Sequence, residues 1–89
     1  MAYCLPEMLD DLADLLAEVR TWAWVIERKP NVFYVHRQPF LHFHLIEGRR
    51  RRADVKGRTG WVQLDLPRPL STTRRRAFLR ELRTHHGGK

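Results

Sequence analysis

Side chains that can bind a metal or move a proton are concentrated between positions 36 and 54. His42 and His44 are separated by one residue, and His36 precedes them across a short segment containing a proline. Imidazole nitrogens bind zinc and other borderline transition metals, and a carboxylate can complete the ligand set. Alternation along a strand puts His42 and His44 on one face, and a tight hairpin would bring His36 towards it. The pattern predicts a candidate zinc site formed by His36, His42, His44 and Asp54.

The same residues support two other interpretations. A His-x-His pair is common on any half-exposed strand, where the rings simply face solvent or a partner. A histidine that titrates near neutral pH can also act as a general base, with Asp54 or Asp65 orienting it and an arginine holding an anionic substrate. No spacing typical of a known catalytic signature occurs in the sequence. We therefore leave enzymatic activity open, favour a binding role, and expect no cofactor other than zinc.

Arginines form two dense groups, one in a predicted connection and one on the last predicted helix. Guanidinium groups pair with phosphate oxygens in a fork geometry, and their clustering attracts polyanions. Exposed tryptophan or tyrosine on an open sheet face could add base stacking. The candidate residues for binding nucleic acid or another anion are Arg49, Arg50, Arg51, Arg52, Arg74, Arg75, Arg76 and Arg80.

Charge is divided unevenly along the chain. Residues 1–27 hold six acids and one arginine, a net charge of −5, whereas residues 28–89 hold sixteen lysines and arginines and four acids, a net charge of +12. Such asymmetry is typical of a surface that binds nucleic acid or another polyanion. The alternative is that the acidic part neutralises the basic part within one fold. The leading functional hypothesis from the sequence is a small basic binding or interaction domain.

The hydrophobic pattern predicts the elements that would position these residues. Apolar residues recur every three or four positions in the acidic start, which predicts an amphipathic helix over about 6–19. Aromatic and β-branched runs between turn residues then predict strands over about 21–27, 32–36, 40–46, 53–56 and 61–66. Capping residues before a second apolar stripe predict a helix over about 72–84, followed by a frayed tail at 85–89.

These elements predict a single α+β domain spanning residues 1–89. Short connections imply antiparallel pairing, so we expect one sheet of about four to five strands with both helices packed on one face. The strands near 22–26 and 40–46 are apolar on both faces, which favours a homodimer formed through the uncovered face. A single cysteine, Cys4, excludes an internal disulfide, and no apolar run is long enough to span a membrane. We expect a cytoplasmic protein.

One part of the sequence resembles known proteins. The segment Arg37-Gln38-Pro39-Phe40-Leu41-His42-Phe43-His44, followed by Ala53-Asp54-Val55, resembles small bacterial proteins that carry Pro-Phe-Leu-His-Phe-His and then Ala-Asp. Gly60-Trp61-Val62 and Phe78-Leu79-Arg80-Glu81-Leu82 are more loosely similar to the luciferase-like domain and to YjbR-like small α+β domains. The similarity covers about residues 32–83 and implies the order of elements. It implies no catalytic residue in this chain.

Overall fold

The computed structural model describes residues 2–87. Five consecutive strands separate an N-terminal helical segment from a C-terminal helix. The elements are β1 (Ala2–Tyr3), a 3-10 helix (Pro6–Leu12), α1 (Ala13–Val19), β2 (Val25–Lys29), β3 (Val32–Val35), β4 (Gln38–Ile46), a 3-10 turn (Glu47–Arg49), β5 (Arg50–Lys56), β6 (Trp61–Asp65) and α2 (Thr72–Gly87).

The N-terminal helical segment consists of two parts that share one apolar stripe. Pro6 occupies the first turn, where its missing N–H leaves no hydrogen bond unmade. The 3-10 helix is kinked at Leu9, beside Met8, whose carbonyl oxygen accepts hydrogen bonds from Arg51 (2.8 Å) and Arg68 (3.1 Å). The same apolar stripe continues from the 3-10 helix into α1. The residues of the stripe that are buried are Leu9, Leu12, Leu15, Leu16 and Val19.

Two predicted strands differ from the observed ones. Residues 21–24 form a turn and not a strand, since Thr21 Oγ1 donates to the Glu18 carbonyl (2.6 Å) and Trp24 has a left-handed backbone with φ of 70°. Such local side-chain bonds compete with strand pairing, so β2 begins only at Val25. The strand predicted at 53–56 begins at Arg50 instead. The prediction that residues 50–52 lie in a connection is therefore wrong.

The sheet is an antiparallel meander with the order β2-β3-β4-β5-β6, and the short β1 pairs with the second half of β4. Between β3 and β4 the register shifts, so that Phe33 opposes Leu41 while Tyr34 opposes Pro39. This β-bulge leaves Phe40 as an extra residue and allows both Phe40 and Leu41 to be buried. Beyond the bulge, β4 pairs with β5 without further irregularity.

One apolar core lies between the sheet and the helices. Phe43, in the middle of β4, packs against Phe78 of α2 with ring centroids 6.1 Å apart. Both helical segments and the sheet contribute to this one cluster, so the helices cover the same sheet face. The predicted α+β class is confirmed. The most deeply buried side chains are Phe33, Phe43, Leu9, Leu12, Leu41, Leu66, Leu82, Val19 and Val55.

The C-terminal helix is longer than predicted. Ser71 Oγ caps α2 by accepting the Arg74 backbone N–H (3.2 Å). At the other end, His86 Nε2 donates to the Ala23 carbonyl (2.6 Å), which fastens the last turn to the segment before β2. The predicted frayed tail is therefore wrong for residues 85–87, and 88–89 lie outside the described residues. In the described part of the chain, no helix has the length and apolarity that crossing a bilayer requires.

Candidate metal centre on the open face

The β4–β5 pair places histidine and carboxylate side chains on the open face, which is the sheet face opposite the helices. His42 opposes Asp54, and His44 opposes Arg52. Leu41 and Phe43 are buried against the helices. Because side chains alternate along a strand, His42 and His44 turn towards the open face. The neighbours of Asp54 are likewise buried in the core, so its carboxylate joins the two imidazoles.

Three potential ligand atoms converge on one point. His42 Nδ1 lies 2.7 Å from His44 Nε2, and the same His44 nitrogen lies 3.5 Å from Asp54 Oδ2. The ligand atoms of all three residues lie within 4.8 Å of one another. A proton relay through His44 would need one contact at each of its two ring nitrogens. Here both contacts use Nε2, and the contact to His42 Nδ1 is a hydrogen bond, so an ion bound by the two rings would take the place of that bond.

Arg52 holds the Asp54 carboxylate in place. Its Nε donates to Oδ1 (2.8 Å), and a terminal nitrogen donates to Oδ2 (3.2 Å). Two parallel bonds of this kind fix the orientation of a carboxylate as well as its position. Asp54 is only 7% exposed, so an unpaired charge there would be costly. Arg52 therefore both balances and aims the carboxylate.

The environment favours the neutral form of His42. Burial lowers the pKa of His42 below its ordinary value of 6.5, and the neighbouring His44 and Arg52 lower it further. The Asp54 carboxylate acts on this pKa in the opposite direction and offsets part of the shift. A metal binds the unprotonated imidazole, so a lowered pKa reduces competition from protons near neutral pH.

The second ring nitrogen of His44, Nδ1, has no hydrogen-bond partner among the described residues. His44 Nδ1 is buried and makes no hydrogen bond to any residue within 2–87. A metal on Nε2 would place the ring proton on Nδ1, where an unmade hydrogen bond costs about 1–3 kcal/mol. This cost would weaken metal binding at His44.

Aromatic rings surround the group on the open face. Tyr3 stacks on His44 with ring centroids 4.9 Å apart, and Trp61 lies 4.7 Å from His42. Lys56 Nζ lies 5.4 Å from the centroid of the Trp61 ring. Tyr3 reaches the site because β1 pairs it directly opposite His44.

His36, the third histidine predicted for the site, lies elsewhere. It occupies the β3–β4 turn with a left-handed backbone, φ of 51°, and its ring packs on Trp24 at 5.3 Å. The bulge and the length of β4 separate this turn from the half of the strand that carries His44. Among the described residues, the group of converging ligands contains His42, His44 and Asp54, without His36.

The predicted anion-binding arginines of β5 are engaged by acids. Arg51 is buried, and its guanidinium binds both carboxylate oxygens of Asp11 (2.7 and 3.0 Å). This contact lowers the pKa of Asp11, chiefly through the hydrogen bond from Arg51. Arg50 lies 3.7 Å from Asp65.

Further pairs join the acidic helical segment to the basic remainder. Within the described residues, acids of the N-terminal helices thus pair with four of the sixteen lysines and arginines of residues 28–89, so the internal neutralisation that one interpretation of the charge asymmetry predicts is partial. Arg49, Arg74, Arg76 and Arg80 are exposed and make no ion pair with residues 2–87. The remaining cross-element pairs are Arg68–Asp10 (2.7 Å), Arg75–Asp14 and Arg83–Glu18 (2.6 Å).

Sequence reasoning missed two contributors to the site. Tyr3 lies in a two-residue strand, which is too short to show any periodicity. Arg52 was predicted to bind an anion, whereas it binds Asp54. The spacing of Arg52 and Asp54 could have revealed this, because residues two apart on a strand share a face.

The resemblance to luciferase-like and YjbR-like domains stays a prediction. A comparison of the chain with protein-family models, with curated proteins and with solved structures finds no match.

Proposed function

We propose that this chain binds one zinc-class metal ion through His42 Nδ1, His44 Nε2 and Asp54 Oδ2. The observation that carries the proposal is the convergence of these ligand types within 4.8 Å. Two imidazole nitrogens and one carboxylate oxygen suit Zn²⁺ and similar borderline ions. Calcium and magnesium prefer sites made of oxygen ligands alone, so the two histidines favour a transition metal.

Two of the three distances between ligand atoms lie close to those that a bound ion requires, and the third, between His42 and Asp54, is at most 4.8 Å. Zinc lies about 2.0–2.1 Å from nitrogen and oxygen ligands, so tetrahedral geometry separates ligand atoms by about 3.3 Å. The distance from His44 Nε2 to Asp54 Oδ2, 3.5 Å, already fits. The 2.7 Å between the two ring nitrogens must lengthen by roughly 0.6 Å.

Three protein ligands leave one coordination position for an outside molecule. Structural zinc sites are usually closed by four protein ligands, whereas sites that bind substrate or activate water keep one position open. The helices lie on the opposite sheet face, so this position is reached from the open face. We propose reversible binding of an outside ligand here and assign no reaction.

Zinc titration of the metal-free protein tests the proposal. Protein purified without an affinity tag and stripped with a chelator should bind one zinc per chain in calorimetry. Zinc at about 100 times its dissociation constant should stabilise the fold by about 2.7 kcal/mol, measured as a raised midpoint of thermal unfolding.

Single substitutions make the titration specific to the site. His42→Ala, His44→Ala and Asp54→Asn should each abolish or strongly weaken zinc binding. His36→Asn is the matched control, since it removes an imidazole outside the group at a left-handed position that asparagine tolerates. Equal zinc binding by wild type and His44→Ala, with both proteins folded by circular dichroism, would overturn the proposal.

Nucleic-acid binding has less support from the contacts than metal binding does. Arg51, Arg52 and Arg75 of the predicted anion surface are paired with acids. The members of that surface that pair with no acid within residues 2–87, Arg49, Arg74, Arg76 and Arg80, are divided between the 3-10 turn before β5 and the helix α2. Binding to a polyanion and the expected homodimer both stay predictions.

A further inference from the structure

Two exposed aromatic rings lie on opposite sides of the proposed metal group. Tyr3, on β1, and Trp61, on β6, approach the histidines of β4 from the two sides of that strand. Tyr3 covers His44, and Trp61 contacts His42, yet 54% of Tyr3 and 39% of Trp61 remain exposed. The rings therefore present free surface beside the open coordination position.

The charge around this position favours a negative ligand. Arg52 balances Asp54, and both imidazoles are neutral when they bind a metal. The charge of the ion is then uncompensated, and Lys56 adds a further positive charge beside Trp61. The other acid on this face, Asp65, is more than half exposed and lies near Arg50.

We propose that the open position takes an aromatic carboxylate, whose oxygen binds the metal while its ring lies against Tyr3 and Trp61. This inference rests on the proposed zinc site and adds the class of ligand to it. Carboxylate oxygen is an ordinary zinc ligand. A flat ring gains from offset or edge-to-face contact with aromatic side chains, beyond the gain from burying apolar area.

Three probe molecules separate the contributions. Benzoate carries both the donor and the aromatic ring, cyclohexanecarboxylate has a similar size without aromaticity, and acetate has the donor alone. The cobalt-substituted protein reports binding at the metal, because its visible spectrum changes when a ligand enters the coordination sphere. We expect benzoate to bind about two- to tenfold more tightly than cyclohexanecarboxylate, and acetate to bind most weakly.

Variants of the flanking rings test their part directly. Tyr3→Ala and Trp61→Ala should each reduce benzoate affinity about two- to tenfold and reduce acetate affinity by a smaller factor. Trp61→Phe keeps an aromatic ring and should retain most of the preference, even if the alanine variant disturbs the fold. Trp24→Ala is the matched control, because Trp24 is 65% exposed and packs on His36 outside the group.

The possible failures of the two proposals are distinguishable. If cobalt and zinc do not bind at all, the proposed metal site is wrong and this inference falls with it. If the metal binds but benzoate and cyclohexanecarboxylate bind with equal affinity, only the aromatic-ligand inference is overturned. The same conclusion follows if the metal binds and Trp61→Ala prefers benzoate as strongly as Trp61→Phe does.

Discussion

On β5, two neighbouring arginines face opposite sides of the sheet. Arg51 points towards the helices, where it binds Asp11 and the carbonyl oxygens of Met8, Leu66 and Pro67. Arg52 points to the open face, where it binds Asp54 beside the two histidines. Each guanidinium thus neutralises a carboxylate, but only the second carboxylate lies beside groups that can bind a metal.

The difference shows how one residue type serves two purposes within a single strand. Arg51 joins β5 to the N-terminal helix and to the segment after β6, so its bonds hold distant parts of the chain together. The bonds of Arg52 to Asp54 stay within β5 and set the direction of one side chain. We therefore expect loss of Arg51 to affect folding stability and loss of Arg52 to affect metal binding.

The largest expected effect is that of Arg51→Met on stability. Methionine keeps much of the buried volume but removes the guanidinium that binds both oxygens of Asp11, leaving that carboxylate the longer contact to Arg68 (3.4 Å). This loss should lower the free energy of unfolding by about 3 kcal/mol. Denaturant unfolding measures this change. Arg83→Met is the matched control, because the Arg83–Glu18 pair is exposed and does not involve Asp11, so its loss should change the free energy of unfolding much less. Equal losses in the two variants would contradict the distinction.

The next effect concerns zinc affinity. Arg52→Met should weaken zinc binding by about 10- to 100-fold, since Asp54 loses the partner that orients it. Calorimetric titration measures the change. Arg50→Met removes a neighbouring charge from the same face and should leave the affinity nearly unchanged. Tighter zinc binding by Arg52→Met would show that Arg52 competes with the metal for Asp54 and does not position that carboxylate for it.

The smallest effect is a pH dependence of the contribution from Asp11. Arg51 holds the pKa of Asp11 below its ordinary value of 3.8, so the folded state binds this proton less readily than the unfolded state. The stabilisation is present above pH 3.8 and is lost as pH falls through the lower pKa of the folded state. The acid limb of wild-type stability should therefore be steeper than that of Asp11→Asn. Asp65→Asn is the control, because Asp65 is an exposed carboxylate away from Arg51. The acid limb of this variant should be as steep as that of the wild type.

Much of the fold could be predicted because it follows from local periodicity. The apolar stripe of residues 6–19 and the alternation around Phe43 indicate which sides are buried. The failures lie where contacts between distant residues decide the structure. The extension of β5 through Arg51 is one example, because its partner Asp11 is 40 residues away in sequence. Without knowing that Asp11 is the partner, one cannot tell from the sequence which of the four consecutive arginines at 49–52 is buried.

The candidate site could be predicted only in part. The spacing of His42 and His44 indicates a shared face, and the sequence predicts Asp54 as a fourth ligand after the three histidines. The register between β4 and β5 sets whether Asp54 meets His42, and sequence alone does not determine register. The same uncertainty about register explains why His36 is wrongly predicted to join the site. That prediction assumes a tight hairpin between β3 and β4, and the bulge at Phe40 changes the geometry of this hairpin.

All three proposed ligands belong to the single hairpin formed by β4 and β5. The entropy lost on closing a loop grows with the number of residues enclosed, so bringing these ligands together costs less than closing the long loop between Asp11 and Arg51. The proposed ligands therefore all lie within one short stretch of chain, residues 42–54. The hairpin is thus a unit that could be transplanted to another antiparallel sheet, provided that the host supplies the apolar support beneath Phe43.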